Sequence, residues 1–185
     1  MKNKLSVLAL FSSLALSGTA LAEGWTLGPA FEDGWNPEFT LAAVGGSMNA
    51  DNTDSGFYKG VEFSLNCPWF QPPTGMIRQQ FNIGWFDHDG LKMTSYEMNP
   101  NYFMALAPNW TLGVGPGIGY ASTSYGNGDT EGLWSIQASA NLNYRNGHLF
   151  AGLGARYQDT QDDQLAPGID GADNWLFSAK IGYNF

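Results

Sequence analysis

Residues 134–144 read WSIQASANLNY, and every second one is apolar. Trp134, Ile136, Ala138, Ala140, Leu142 and Tyr144 alternate with Ser135, Gln137, Ser139, Asn141 and Asn143. Successive side chains of a β-strand point to opposite faces, so a period of two predicts a strand with one greasy and one polar face. The polar face consists of amides and hydroxyls, whereas a face exposed to water normally carries many Lys and Glu. Such a face suits enclosure in a narrow interior, with the greasy face turned outward.

The same pattern extends in both directions. Downstream, Leu149, Ala151, Leu153, Ala155 and Tyr157 alternate with Gly152, Gly154 and Arg156, and Trp175, Phe177, Ala179, Ile181, Tyr183 and Phe185 with Ser178, Lys180, Gly182 and Asn184. Upstream, Trp110 to Tyr120 sets its even positions against Gly113, Gly115, Gly117 and Gly119, whose missing side chains would leave space on the inner face. Tyr96 to Leu106, Ile77 to Trp85 (interrupted by Gln79) and Val61 to Cys67 follow the rule, and the weakest segment sets Phe39, Leu41 and Ala43 against Glu38, Thr40 and Ala42. Together these predict eight strands. Aromatic rings close both ends of the greasy face, Trp110 with Tyr120 and Trp134 with Tyr144, as where a barrel meets the two surfaces of a membrane. The predicted fold is all-β: an eight-stranded antiparallel up-and-down transmembrane β-barrel over residues 38–185.

Composition agrees. Aromatics make up 15% of the chain and Gly contributes 24 residues, while charged residues are 14%, below the ~25% usual for soluble domains. Lys2 and Lys4, the apolar run Leu5 to Leu16 and the small-x-small sequence Ala20-Leu21-Ala22 predict a signal peptide over residues 1–22. After it no apolar run approaches the roughly 20 residues of a membrane-crossing helix. Residues 23–37, with Trp25, Phe31 and Trp35 among Gly and Pro, read equally as a tail, part of the first strand or a small plug. The single cysteine, Cys67, excludes an internal disulfide and reads as a small buried or lipid-facing hydrophobe.

Eight strands starting from the periplasm need three inner turns and four outer loops, with the inner ones short. The inner turns are expected at residues 68–75, 107–109 and 145–147, the last containing Asn146-Gly147, a hairpin dipeptide that tolerates positive φ. The outer loops are expected at residues 49–57, 87–91, 122–132 and 159–174.

The C-terminal pair Tyr183 and Phe185 resembles the assembly signal of bacterial outer-membrane proteins, with Lys180 in a position where that signal usually has Gly. Residues 113–120 are similar to the glycine-rich central strand of the small eight-stranded outer-membrane barrels of the opacity-protein and OmpX type, and the whole mature chain resembles that class. The resemblance implies a bacterial outer-membrane location with both termini periplasmic, insertion by the barrel-assembly machinery, and a lipid and lipopolysaccharide environment. The class includes adhesion and host-interaction proteins.

An eight-stranded barrel is just wide enough for side chains to fill it. The strand phases put Glu38, Glu62 and Glu97 inside with Arg78, Arg156 and Lys180, three negative against three positive, and the cost of unpaired charge in a low-dielectric interior favours pairing. Asp51, Asp54, Asp87, Asp89, Asp129, Glu131, Asp159, Asp162, Asp163, Asp170 and Asp173 fall in or beside the outer loops, opposed by Lys59 and Lys92. This acidic rim suits divalent cations, which prefer clustered oxygen ligands and could bridge to lipopolysaccharide phosphates. A net charge of −9 without a basic patch disfavours nucleic acid. Asp51, Thr53, Ser55, Gly56 and Glu62 have EF-hand spacing, but the strand phase turns Glu62 into the barrel. A lipid-modifying enzyme would need a His beside a Ser at the membrane surface; His88 with Ser95 or Ser124 is the one such constellation, and neither His88 nor His148 has a Ser two positions later. The sequence predicts a structural or surface-interaction barrel that needs no cofactor, with a narrow channel or small-ligand conduit as the alternative.

Overall fold

The computed structural model describes residues 24–51, 53–126 and 128–185; the predicted signal peptide lies outside them. Eight strands form one closed antiparallel barrel, each paired with its neighbours in sequence and the last with the first. They are β1 (Thr40–Ala50), β2 (Gly56–Asn66), β3 (Met76–His88), β4 (Leu91–Ala107), β5 (Trp110–Tyr125), β6 (Glu131–Asn146), β7 (Leu149–Thr160) and β8 (Asn174–Asn184). Closure leaves no unpaired edge, the one way a sheet can satisfy all its backbone groups in lipid. β1 begins and β8 finishes at one end, here the terminal end, and the connections β1–β2, β3–β4, β5–β6 and β7–β8 lie at the other, the loop end.

Several boundaries differ from expectation. At the loop end β3 and β4 meet in a two-residue turn, Asp89–Gly90, with both φ values positive (48° and 84°); this is a type I′ turn, not a loop. At the terminal end the β6–β7 turn is Gly147–His148, because Asn146 stays in the ladder opposite Leu149. Gly147 takes the positive φ of 56°, and Asn146 does not. Residues 24–37 are neither a free tail nor part of β1: Thr26–Leu27 pairs with Phe70–Gln71 of the β2–β3 connection, and a 3-10 turn covers Pro29–Phe31. That connection is long because it carries this second small sheet. Cys67 is buried beside it, its N–H donating to the carbonyl of Ile77 at 2.8 Å.

The wall carries an apolar band between two aromatic levels. On the loop side Tyr96, Tyr120 and Trp134 stand in one cross-strand row, and Tyr157 packs on Trp175 at 4.9 Å between centroids. On the terminal side Trp110 meets Tyr144 at 5.1 Å, and Phe39, Phe63, Tyr183 and Phe185 add to the level. Ten residues separate Trp110 from Tyr120, about 33 Å of strand, which a tilt of about 40° converts to the roughly 25 Å height of an outer-membrane apolar band. β4 has 17 residues, or about 56 Å. The barrel therefore runs past the band, and the excess is at the loop end, where β4 and β5 continue to Leu91 and Tyr125.

Candidate functional site

The interior is divided in two. In the half toward the terminal end it is polar, as the alternation predicts: Thr40, Glu62, Ser64, Arg78, Gln80, Asn99, Asn101, Asn141 and Asn143 are all buried. The charges pair across the bore. Lys180 Nζ lies 2.5 Å from Glu62 Oε2, with both side chains more than nine-tenths buried, and also donates to Asn141 Oδ1 at 2.9 Å. Arg156 pairs with Glu97 and donates to Asn174 Oδ1 at 2.9 Å. Arg78 donates to Asn66 Oδ1 at 2.8 Å, to the Glu38 carbonyl at 2.7 Å and, at 3.4 Å, to the Glu38 carboxylate.

Two corrections attach to this network. Glu38 is not an inward strand residue. It precedes β1 with φ 45°, and its carboxylate is half exposed at the barrel's terminal rim. Arg145, expected in a turn, is the last inward residue of β6 and stacks over Phe150 at 5.1 Å. Among the described residues the cations that face the bore therefore number four, not three.

The glycine-lined face does not leave the open space its composition suggested. A side chain at Gly113 would collide with the Phe103 ring, and one at Gly117 with the Asn99 amide. The glycines let larger inward side chains from β4 cross the bore, the close approach that only glycine permits. A small cavity of about 40 Å³ is lined by Gln80, Glu97, Asn99, Asn141, Arg156 and Lys180 among others, room for about three waters at one probe sphere each.

In the half toward the loops apolar side chains enter the bore beside the buried Thr123, Gln158, Thr160 and Asn174. Val44, Met48, Tyr58, Phe86, Leu91, Met93, Ala121, Leu133 and Leu176 point inward and form one buried apolar cluster. Leu165 and Ala172 of the β7–β8 connection join it, and Ile169 packs against it. The connection holds a short hairpin, Gln164–Ala166 with Ile169–Asp170. It is tied down by Asp173, whose Oδ1 accepts from Thr160 N at 2.8 Å and Thr160 Oγ1 at 3.1 Å. Outside, the wall at this level bears Ser47, Asn49, Lys59, Asp87, Lys92, Thr94, Ser122, Ser124 and Asp159, with Phe57 and Trp85 exposed among them. The strands thus run on into residues expected in the outer loops, such as 56–57, 87–88, 122–125 and 131–132.

The acidic residues lie at this end but do not converge. Asp87 and Asp159 are on strands, not loops. Asp54 and Asp89 meet through the Asp54 N–H and Asp89 Oδ2 at 3.0 Å, and Asp162, Asp163, Asp170 and Asp173 belong to the β7–β8 connection. Among the described residues no group of three His, Cys, Asp or Glu side chains could hold a metal ion. The EF-hand spacing is not used, since Glu62 is taken by Lys180. His88 lies 3.5 Å from Asp89; Ser95 is buried in the bore and Ser124 stands on the outer wall, so the conceivable Ser/His pair is not assembled. His148 stacks on Tyr183 at 4.7 Å. Tyr183 and Phe185 face outward at the terminal end, with Phe185 N–H donating to the Phe39 carbonyl at 2.9 Å.

No protein-family model and no curated protein matches the chain. Solved structures do. The N-terminal β-barrel domain of Pseudomonas aeruginosa OprF superposes with a TM-score of 0.57 at 13% identity, covering 81% of this chain and all of that one. Neisserial surface protein A gives 0.54 at 12% identity, covering 80% of this chain and 96% of that one. Ail, the attachment invasion locus protein of Yersinia pestis, gives 0.53 at 12% identity, covering 80% and 97%. At such identities the likeness is one of architecture, and with the closed ring and the aromatic levels it establishes that this chain has the fold of the small eight-stranded outer-membrane barrels.

Proposed function

We propose that this protein is a non-conducting barrel of the bacterial outer membrane. Both termini face the periplasm, and the loop end stands above the lipid as a surface for contact with partner molecules. The observation that carries the reading is the change of polarity along β4 and β5, where Lys92, Thr94, Ser122 and Ser124 face out and Leu91, Met93 and Ala121 face in. A wall greasy outside and polar inside is built for lipid, and one polar outside and greasy inside is built for water. From Tyr96 to Leu91 and from Tyr120 to Tyr125 the wall is of the second kind, about 13 Å of height at a tilt of about 40°. The apolar band, by contrast, reaches the terminal rim at Tyr183 and Phe185.

A conduit would have to pass the Phe86, Met93 and Leu133 cluster and then the Glu97–Arg156 and Glu62–Lys180 pairs, all buried. Planar-bilayer recording with purified protein tests this. Absence of steady openings is expected, and reproducible single-channel steps would replace the reading with a channel. Orientation is tested in the Cys67→Ser background by a cysteine at Thr130: labelling of intact cells by a membrane-impermeant maleimide is expected, and labelling only after lysis would reverse it.

A further inference from the structure

Among the chain's eight Lys and Arg residues, Lys2 and Lys4 belong to the predicted leader, and Arg78, Arg145, Arg156 and Lys180 face the bore. The two that remain, Lys59 and Lys92, are exposed on the outer wall, and neither makes an ion pair among the described residues. They share one groove of about 960 Å³, within the size range of small-molecule sites. Strand register builds it. Lys59 stands opposite Trp85, Trp85 opposite Thr94, and Thr94 opposite Ser122; in the next row Asp87 stands opposite Lys92 and Lys92 opposite Ser124. Thr130 of the β5–β6 connection closes it on the loop side.

The groove's height is fixed by the loop-side aromatic level and the reversal of polarity above it. It begins at Trp85 and rises through the segment where the outer wall turns polar, which is where lipid headgroups lie. Its chemistry is mixed. Two ammonium groups offer charge to phosphate, Thr94, Ser122, Ser124 and Thr130 offer hydroxyls, Asp87 offers an acceptor for hydroxyl donors, and Trp85 offers a flat amphipathic face. Asp129 and Glu131 flank Thr130, so a bare anion gains little there. A ligand with phosphate at one place and sugar hydroxyls at another matches both sets.

We propose that this groove binds the phosphorylated sugar headgroup of an outer-leaflet glycolipid, by direct lysine–phosphate contact and not through bridging cations. The proposal rests on the reading of the loop end as the outward one, but its test uses purified protein and is independent of orientation. Binding of bis-phosphorylated lipid A in mixed detergent micelles containing EDTA is compared with dephosphorylated lipid A and with phosphatidylglycerol. The same titration is run on Lys59→Ala/Lys92→Ala, with heat-modifiable gel mobility as the check that this surface variant is folded.

The expected result is binding of lipid A that survives EDTA, weakens with ionic strength, and loses at least tenfold in affinity in the double variant. Dephosphorylated lipid A and phosphatidylglycerol should each bind at least tenfold more weakly. Equal affinity of the folded variant, equal binding of the dephosphorylated lipid, preference for phosphatidylglycerol, or loss of binding in EDTA would each overturn the proposal. The last would point to the acidic residues of the rim. If lipid A binds as stated and the protein conducts, the groove stands and the closed-barrel reading falls.

Discussion

Replacing Pro100 and Pro116 together by valine should make the barrel more stable. Proline is confined in sheets to edges and bulges because it lacks the N–H that the ladder needs, yet both of these sit mid-strand in a ring that has no edge. The register between β4 and β5 runs from Met98 opposite Ile118 to Tyr102 opposite Val114, which places Pro100 directly opposite Pro116. Pairing is interrupted from 99 to 101 and resumes on both sides. Two prolines at a hydrogen-bonded pair, where each residue should donate to the other's carbonyl, account for a gap of this length. Two bonds are missing and two carbonyls have lost their donors, halfway between Trp110 and Tyr120 at the centre of the apolar band. A hydrogen bond contributes a net 0.5–1.5 kcal/mol, so the double variant should gain about 1–3 kcal/mol. Each single variant restores one donor and should gain about half. Urea unfolding in detergent or bilayers measures the gain, and amide exchange at positions 100 and 116 shows whether the bonds form. A double variant no more stable than the parent, or one whose new amides exchange freely, would refute the reasoning.

Lys180→Met should cost about 3–5 kcal/mol, because it strands the Glu62 carboxylate in the bore, and Glu62→Gln/Lys180→Met should recover most of the loss; a single-variant cost below about 0.5 kcal/mol would show that the pair does not form. Gly113→Ala drives a methyl group into the Phe103 ring and should destabilise by about 1–3 kcal/mol, whereas Gly147→Ala disturbs only a turn with positive φ and no neighbour within 4 Å. Equal unfolding midpoints for Gly113→Ala and the parent would mean that the bore has room there. If the terminal aromatic pair is read by assembly machinery, Phe185→Ser should lower the yield of heat-modifiable barrel in cells while leaving spontaneous refolding in detergent within about twofold; an equal loss in both would make Phe185 a packing residue.

The ring of eight strands was legible because lipid imposes a strict period of two, and each apolar row between the aromatic levels, from Tyr96 to Met104 or from Trp134 to Tyr144, faces outward as its phase requires. Strand phase pointed to charges in the bore but not to their partners: the pairing of Glu62 with Lys180 and of Glu97 with Arg156 is a finding of the structure, and Glu38 stands at the rim. Arg145 was not legible, because a residue at the last step of a strand looks the same in sequence as one in the turn. The small sheet joining Thr26–Leu27 to Phe70–Gln71 was out of reach for a different reason: two-residue strands have no period. The reversal of polarity did leave a trace. In 91–94 the apolar residues are Leu91 and Met93, on odd positions, while from Tyr96 to Tyr102 they fall on even ones; on β3 Phe86 breaks the odd phase of Phe81, Ile83 and Trp85, and on β6 Leu133 precedes the even series that starts at Trp134. A slip of this kind ordinarily signals a bulge. Here the pairs from Lys92 opposite Ser124 to Tyr96 opposite Tyr120 run without a shift, so the chain has not changed faces. The solvent has changed instead, and a phase slip across an unbroken ladder therefore marks the level at which a barrel leaves the membrane.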